Sequence, residues 1–388
     1  MKTRVIAAIV LTTSLSGLVA CSATPSEVPS EAPTQTITQS ASPSPTPEPL
    51  SDWTIAEVVG QLFMVGVNLN GADDSAAALI QHRHLGNIFL HGRSDAGVES
   101  VRAQVSSYTA LVSPETTRNL PLLVAIDQEG GNVQAVTGPG FSEIPSAVTQ
   151  SSMSPEALVS AATTWGAELA GAGINLNLAP VADLVDTGNP AANSPIGYWS
   201  RNYGHTPETV ESGVRSFTQG MHASGVAVTL KHFPGMGRVT DNTDLVSGVT
   251  DTTTTADDPA IQVFSAGIDQ GADLVMLSLA YYSQIDAAQP AVFSKAVATQ
   301  LLRGKLGFTG VCITDDLSAA AQVQPWSPSD RAVNALDAGC DLILVSADSS
   351  VAPEMMDAVI NQATQSPEFE RQLRLSALRV LSLKEKLS

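Results

Sequence analysis

Four short stretches of this sequence put reactive side chains together: Asp127-Gln128-Glu129-Gly130-Gly131, Ala179-Pro180-Val181-Ala182-Asp183, Lys231-His232-Phe233-Pro234-Gly235 and Thr314-Asp315-Asp316-Leu317. Each lies at the end of an apolar run. A carboxylate so placed can ligate a metal, exchange a proton or attack carbon. Metal ligation has the least support. Of His82, His84, His91, His205, His222 and His232, only His232 clearly ends an apolar run, and no H-E-x-x-H pair occurs. No metal and no cofactor are therefore expected. Two carboxylates without a metal are the minimum for glycoside hydrolysis, one attacking the anomeric carbon and the other protonating the leaving oxygen. A Lys–His pair beside an Asp suits sugar hydroxyls, which both donate and accept hydrogen bonds. A competing reading makes Asp127 and Asp183 mere caps of the helices that follow them. Another makes Lys231 a Schiff-base amine, but flanking His232 and carboxylates would keep it charged rather than nucleophilic.

The elements that must position these groups recur in a simple pattern. Apolar runs at 61–67, 86–92, 122–127, 174–183, 226–232, 272–278, 310–315 and 340–346 lack the alternation of half-exposed strands, as strands buried on both faces do. Helix-like stretches at 73–82, 97–111, 155–172, 207–223, 259–270, 294–305, 330–338 and 353–362 separate or follow them. Ser154-Pro155, Thr206-Pro207 and Asp258-Pro259 carry the helix-start signal of Pro in the first turn. Eight strands alternating with eight helices give an α/β fold, a (β/α)8 TIM barrel, with a doubly wound open sheet as the alternative. A dinucleotide-binding reading fails because Val67-Asn68-Leu69-Asn70-Gly71 is not G-x-G-x-x-G. In a barrel the polar groups at the C-terminal strand ends would share one mouth.

At 388 residues, 43% hydrophobic and 15% charged, the chain must fold, and its net charge of −19 disfavours nucleic acid as a partner. Lys2 and Arg4, then an apolar stretch ending Leu18-Val19-Ala20-Cys21, form a signal segment over 1–20. Its end resembles the lipobox of bacterial lipoproteins, which implies lipidation of Cys21 and anchoring outside the cytoplasmic membrane. Residues 22–50 contain 7 Pro, 6 Ser and 5 Thr and no Lys or Arg. Such a segment stays extended, reaching up to roughly 90 Å. The expected organisation is therefore signal 1–20, lipidated Cys and tether 21–50, and one barrel domain 51–388, a monomer. Cys312 and Cys340 read as buried thiols, with a disulfide as the alternative.

The strand-end motifs, with Leu178-Ala179-Pro180-Val181-Ala182-Asp183 and Leu301-Leu302-Arg303-Gly304-Lys305-Leu306-Gly307-Phe308, resemble glycoside hydrolase family 3. The likeness is to its single-domain β-N-acetylglucosaminidase branch, and the matches run in family order from about residue 55 to the C-terminus. This resemblance implies a retaining exo-glycosidase acting on terminal β-linked N-acetylglucosamine in peptidoglycan fragments or other wall glycans. It makes Asp315 the nucleophile, while Asp127, Arg201, Lys231 and His232 hold the sugar. A nucleophile must stay ionised, so nearby donors are expected to hold Asp315 at low pKa. Adjacent strand residues face opposite ways, so only one of Asp315 and Asp316 should point inward. The family pattern K-H-F-P-G-H-G followed by D-S-H is broken here. An ungapped count puts Asn242 on its Asp and Asp244 on its His; a slip of one puts Asp241 on the Asp. Three readings stay open: Asp244 (rival Asp241) as carboxylate general acid, a slow enzyme with weak protonation, or a non-catalytic glycan-binding lipoprotein. Other β-glycosidase specificities and phosphorolysis also remain.

Overall fold

The structure is a computed structural model that describes residues 50–387 apart from 72–74 and 187. The expected signal, Cys21 and all but the last residue of the tether lie outside the described residues.

Every apolar run contains one strand: β1 Phe63–Asn68, β2 Asn87–His91, β3 Leu123–Ile126, β4 Leu176–Asn177, β5 Ala227–Phe233, β6 Leu274–Leu277, β7 Val311–Thr314 and β8 Ile343–Val345. All pair in parallel, in the order β7-β6-β5-β4-β3-β2-β1-β8. The ring closes between β7 and β8 through an Ile313–Leu342 bridge, with Thr314 N donating to Leu342 O at 3.0 Å. That closure decides for the barrel over the open sheet. β4 is only two residues long, and the rest of its apolar run is loop.

Strand parity explains what reaches the mouth. Met64, Leu123, Ala125, Leu176, Leu178, Val311 and Ile313 belong to the inner apolar cluster, whereas Val65, Val124, Ile126 and Cys312 pack outward against the helices. Continuing the two-residue period past β3 and β7 puts Asp127 and Asp315 on the inner face. β5 departs from strict alternation. Its pairing with β6 shifts register between Leu230 and Phe233, and neighbouring Lys231 and His232 both face the mouth.

The helices form where the start signals stand. Ser154, Thr206 and Asp258 cap helices Pro155–Gly171, Pro207–Ala223 and Pro259–Asp269, accepting from Ala157 N, Thr209 N and Ala260 N. The stretch expected as an ordinary helix at 294–305 is instead a π-helix, Ala296–Lys305, whose wider turn shows in Leu306 N donating to Leu301 O. A C-terminal helix, Pro367–Lys386, closes the bottom of the barrel: Val380 and Leu383 join the inner cluster, and Lys384 Nζ donates to Gln61 Oε1 and Gly86 O. Two small β-structures on the mouth loops have no counterpart in the sequence reading: the hairpin Gln128–Gly130 with Val133–Gln134, and a three-stranded sheet of Thr250–Asp251, Tyr281–Tyr282 and Asp286–Pro290. Cys312 and Cys340 are buried free thiols with their sulfurs 3.6 Å apart.

Candidate active site

A cavity of about 280 Å³ opens at the C-terminal end of the barrel. Phe89, Met276 and Leu344 form its apolar floor, and Asp127, Arg201, Lys231, His232, Asp244, Asp315 and Asp316 line it. Residues from three of the four stretches thus meet in one place, joined by Arg201 from the loop after β4 and Asp244 from the long loop after β5. Asp241 does not line the cavity; it is exposed and accepts from Thr240 Oγ1.

One wall is a dense ion-pair network. Lys231 Nζ lies 2.6 Å from both Asp127 Oδ1 and Glu129 Oε1. Arg201 grips Glu129 with two bonds, Nε to Oε2 at 2.9 Å and Nη2 to Oε1 at 2.6 Å, and its Nη1 donates to Pro195 O. Such fork-on-fork geometry fixes the plane of the guanidinium. Burial alone would raise the Glu129 pKa, but the charges of Arg201 and Lys231 outweigh it and hold the carboxyl at about 2. Burial would likewise discharge Lys231, yet Asp127 and Glu129 push its pKa above the ordinary lysine value. A lysine held so firmly protonated is no Schiff-base nucleophile. Asp127 caps no helix; it is followed by the hairpin and pairs with Lys231.

Asp183 caps no helix either. It is fully buried, with Oδ1 accepting from His232 N at 3.1 Å and Met236 N at 2.7 Å, and Oδ2 lying 2.8 Å from His232 Nδ1. A buried carboxylate against Nδ1 assigns the proton to that nitrogen, fixing the tautomer and the ring plane. Asp316 is engaged by its own loop and by β8: it accepts from Ser318 N, Ser318 Oγ, Ala319 N and Ser346 N. Although Asp316 also lines the cavity, its four bonds spend it on shaping the turn, whereas Asp315 accepts from Asp316 N at 2.8 Å.

The opposite wall is poor in cations. Asp315 was expected at low pKa; burial, aided by the charge of Asp316, instead raises it, against the pull of His232, the Asp316 amide and Lys231. Desolvation and the charges of Asp315 and Asp316 push Asp244 up to about 6. Because its loop leaves Asp244 exposed, we assign more of that shift to the neighbouring carboxylates, which act across the open cavity, than to burial. Asp244 and Asp315 interact closely enough to titrate together rather than as independent groups.

The Asp244 loop is held in several places. Asn242 Oδ1 accepts from Asp244 N, forming a tight local turn. Asp244 O and Thr243 O accept from Ala321 N and Gln322 N beyond β7. Arg238 contacts Asp258 at 2.7 Å and Thr254 Oγ1 at 2.9 Å. Gly237 sits so close to the loop after β4 that a Cβ there would lie 1.8 Å from Leu184 O. Sequence reasoning named every lining acid and base but gave no role to Glu129 and left Asp183 as a possible cap. The scarcity of cations offered a signal: an Arg and a Lys buried at one mouth require a buried acid between them.

The description "Glycosyl hydrolase family 3 N terminal domain" matches residues 54–383. The chain belongs to glycosyl hydrolase family 3. Among similar family members is a crystal structure of a β-N-acetylhexosaminidase from Beutenbergia cavernae, 54% identical with a TM-score of 0.85, covering 86% of this chain and 99% of that one. A β-hexosaminidase of Xanthomonas oryzae pv. oryzae is 35% identical over 296 residues, 72% of this chain and 81% of its own length. A family 3 β-N-acetylglucosaminidase from Paenibacillus is 32% identical with a TM-score of 0.77, over 86% of this chain and 63% of that one. The chain is accordingly a glycoside hydrolase of this family, of the β-N-acetylhexosaminidase-like kind. Among the described residues no cluster of His, Cys, Asp and Glu could hold a metal ion, and no helix is long and apolar enough to cross a membrane.

Proposed function

We propose that the enzyme is a retaining exo-β-N-acetylhexosaminidase that releases terminal β-linked N-acetylglucosamine from peptidoglycan fragments or other wall glycans. One observation carries this reading: two carboxyls of raised pKa, Asp315 and Asp244, line a small cavity whose other wall is saturated with fixed ion pairs. The ion-paired wall, with Asp127, Arg201, Lys231 and His232, offers charged donors and acceptors to sugar hydroxyls. The Asp315 carboxylate attacks the anomeric carbon, forming a C–O bond as the glycosidic C–O bond breaks. Asp244 gives its proton to the leaving oxygen. Asp244, now a base, takes a proton from water, whose oxygen attacks the anomeric carbon and frees Asp315, so configuration is retained overall. A pKa near 6 suits a group that must donate and then accept near neutral pH.

We further read residues 1–20 as a signal, Cys21 as lipidated, and 21–50 as the tether that holds a monomeric barrel outside the membrane. Cys21→Ser should move the protein from the membrane fraction to the soluble one. The reaction is tested by Asp315→Asn: turnover of an aryl β-N-acetylglucosaminide should fall roughly 10⁴-fold or more. Unchanged turnover removes Asp315 as nucleophile. An inactive wild-type protein that still binds the sugar leaves a glycan-binding lipoprotein instead.

A further inference from the structure

Among the described residues large apolar side chains are seldom exposed, and most of those that are lie on segments at the mouth end of the barrel. Seven such side chains are exposed among the described residues, and five of them, Val148, Tyr198, Trp199, Leu245 and Val246, belong to the segments that follow β3, β4 and β5 at the mouth end of the barrel. Tyr198 and Trp199 are 60% and 43% exposed and meet edge to face with ring centroids 4.9 Å apart. They precede Arg201, which lines the cavity, by three and two residues. Val148 N donates to Ser200 O beside them, and Leu245 directly follows Asp244. The two rim loops are tied together: Asn193 Nδ2 donates to Met236 O and Val239 O at 2.7 Å each, Ser194 N donates to Thr240 O, and Tyr198 N returns to Asn193 O.

An exposed apolar cluster at the edge of a ligand site marks a surface that the ligand covers. The cavity, at about 280 Å³, is at the small end of ligand pockets, which run to roughly 300–1,000 Å³. It holds one sugar ring, so whatever is joined to that ring must lie outside, over the rim. If Asp244 donates to the leaving oxygen, its own loop borders the leaving-group side, and the loop bonded to it carries the two aromatic rings. Aromatic rings supply a rigid apolar face with little entropy to lose, which matches the C–H face of a pyranose.

We propose that Tyr198 and Trp199 form a stacking platform for the sugar ring on the leaving-group side, making the enzyme selective for glycan chains over simple glycosides. This rests on the hydrolase reading above, and the test separates the two. Three substrates are compared for wild type and for the Tyr198→Ala, Trp199→Ala double variant: N,N′-diacetylchitobiose, methyl β-N-acetylglucosaminide, which lacks the second ring, and an aryl β-N-acetylglucosaminide. The double variant should lose roughly five- to tenfold in kcat/KM on the disaccharide, mainly through KM. On the methyl glycoside it should match wild type, and Trp199→Phe should keep most of the disaccharide activity. Equal losses on disaccharide and methyl glycoside, or no loss on either, overturn the platform alone. A loss confined to the aryl glycoside also overturns it and points to a non-sugar leaving group. A wild type that cleaves none of the three removes the hydrolase reading and the platform with it.

Discussion

The two walls of the cavity are built from the same kind of side chain and behave in opposite ways. Glu129, buried behind one wall, sits between Arg201 and Lys231 and is held at about 2. Asp244, on the other, faces Asp315 and Asp316 and is pushed up to about 6. Burial acts on both; what differs is the sign of the neighbouring charge. A carboxylate flanked by cations is locked in one state and is useful for geometry. A carboxyl flanked by carboxylates sits near the middle of its titration and is useful for moving protons. The fold keeps the walls apart by drawing them from different places: the segment after β3, the loop after β4 and the end of β5 supply the locked wall, while the end of β7 and the long loop after β5 supply the responsive one.

Variants on each wall should therefore fail in different ways. The largest effect is on the responsive wall, where Asp315→Asn should abolish turnover while leaving the thermal midpoint near that of wild type. On the locked wall, Glu129→Ala leaves Arg201 and Lys231 buried beside each other without their shared partner, so urea unfolding should show a loss of about 3–5 kcal/mol. A Glu129→Ala protein as stable as wild type would mean that Asp127 alone balances both cations. Next, Asp183→Asn weakens the charged bonds to His232 and Met236 and permits the other imidazole tautomer. It should cost about 1.5–3 kcal/mol in kcat/KM, stability or both. Restoration of activity by raising substrate concentration would separate misplaced binding from lost chemistry. Smallest is Asp241→Ala, on the exposed outside of the loop, expected within about 0.5 kcal/mol of wild type in stability and equal to it in turnover.

Much of this was legible from residue types because strand parity is rigid. Asp127 and Asp315 continue the inward-facing sets of Leu123 and Ala125, and of Val311 and Ile313, so the barrel and two of its acids follow from counting by two. Counting fails where the backbone leaves that rule. Lys231 and His232 share the mouth where β5 departs from regular pairing, and Asp316 lines the cavity beside Asp315 because both lie past the strand end. The partnership of Glu129 with Arg201 spans 72 positions, and no local pattern encodes it. That Asp244 and not Asp241 lines the cavity depends on how the loop turns at Asn242 and packs through Gly237, which no count along the sequence registers. The pKa of Asp315 lies above the sequence-based expectation because desolvation outweighs the donors around it.

The contrast between the walls is tested most directly by the pH dependence of kcat/KM, measured for wild type and Asp244→Ala on a β-linked N-acetylglucosamine disaccharide and on an aryl glycoside. In the proposed mechanism Asp244 donates only while protonated, so wild-type activity on the disaccharide should fall as pH rises above about 6. In Asp244→Ala that alkaline limb should vanish. The variant should lose roughly 10²- to 10⁴-fold on the disaccharide and far less on the aryl glycoside, whose leaving group needs little protonation. Equal losses on both substrates, or an alkaline limb that survives the substitution, would contradict the account.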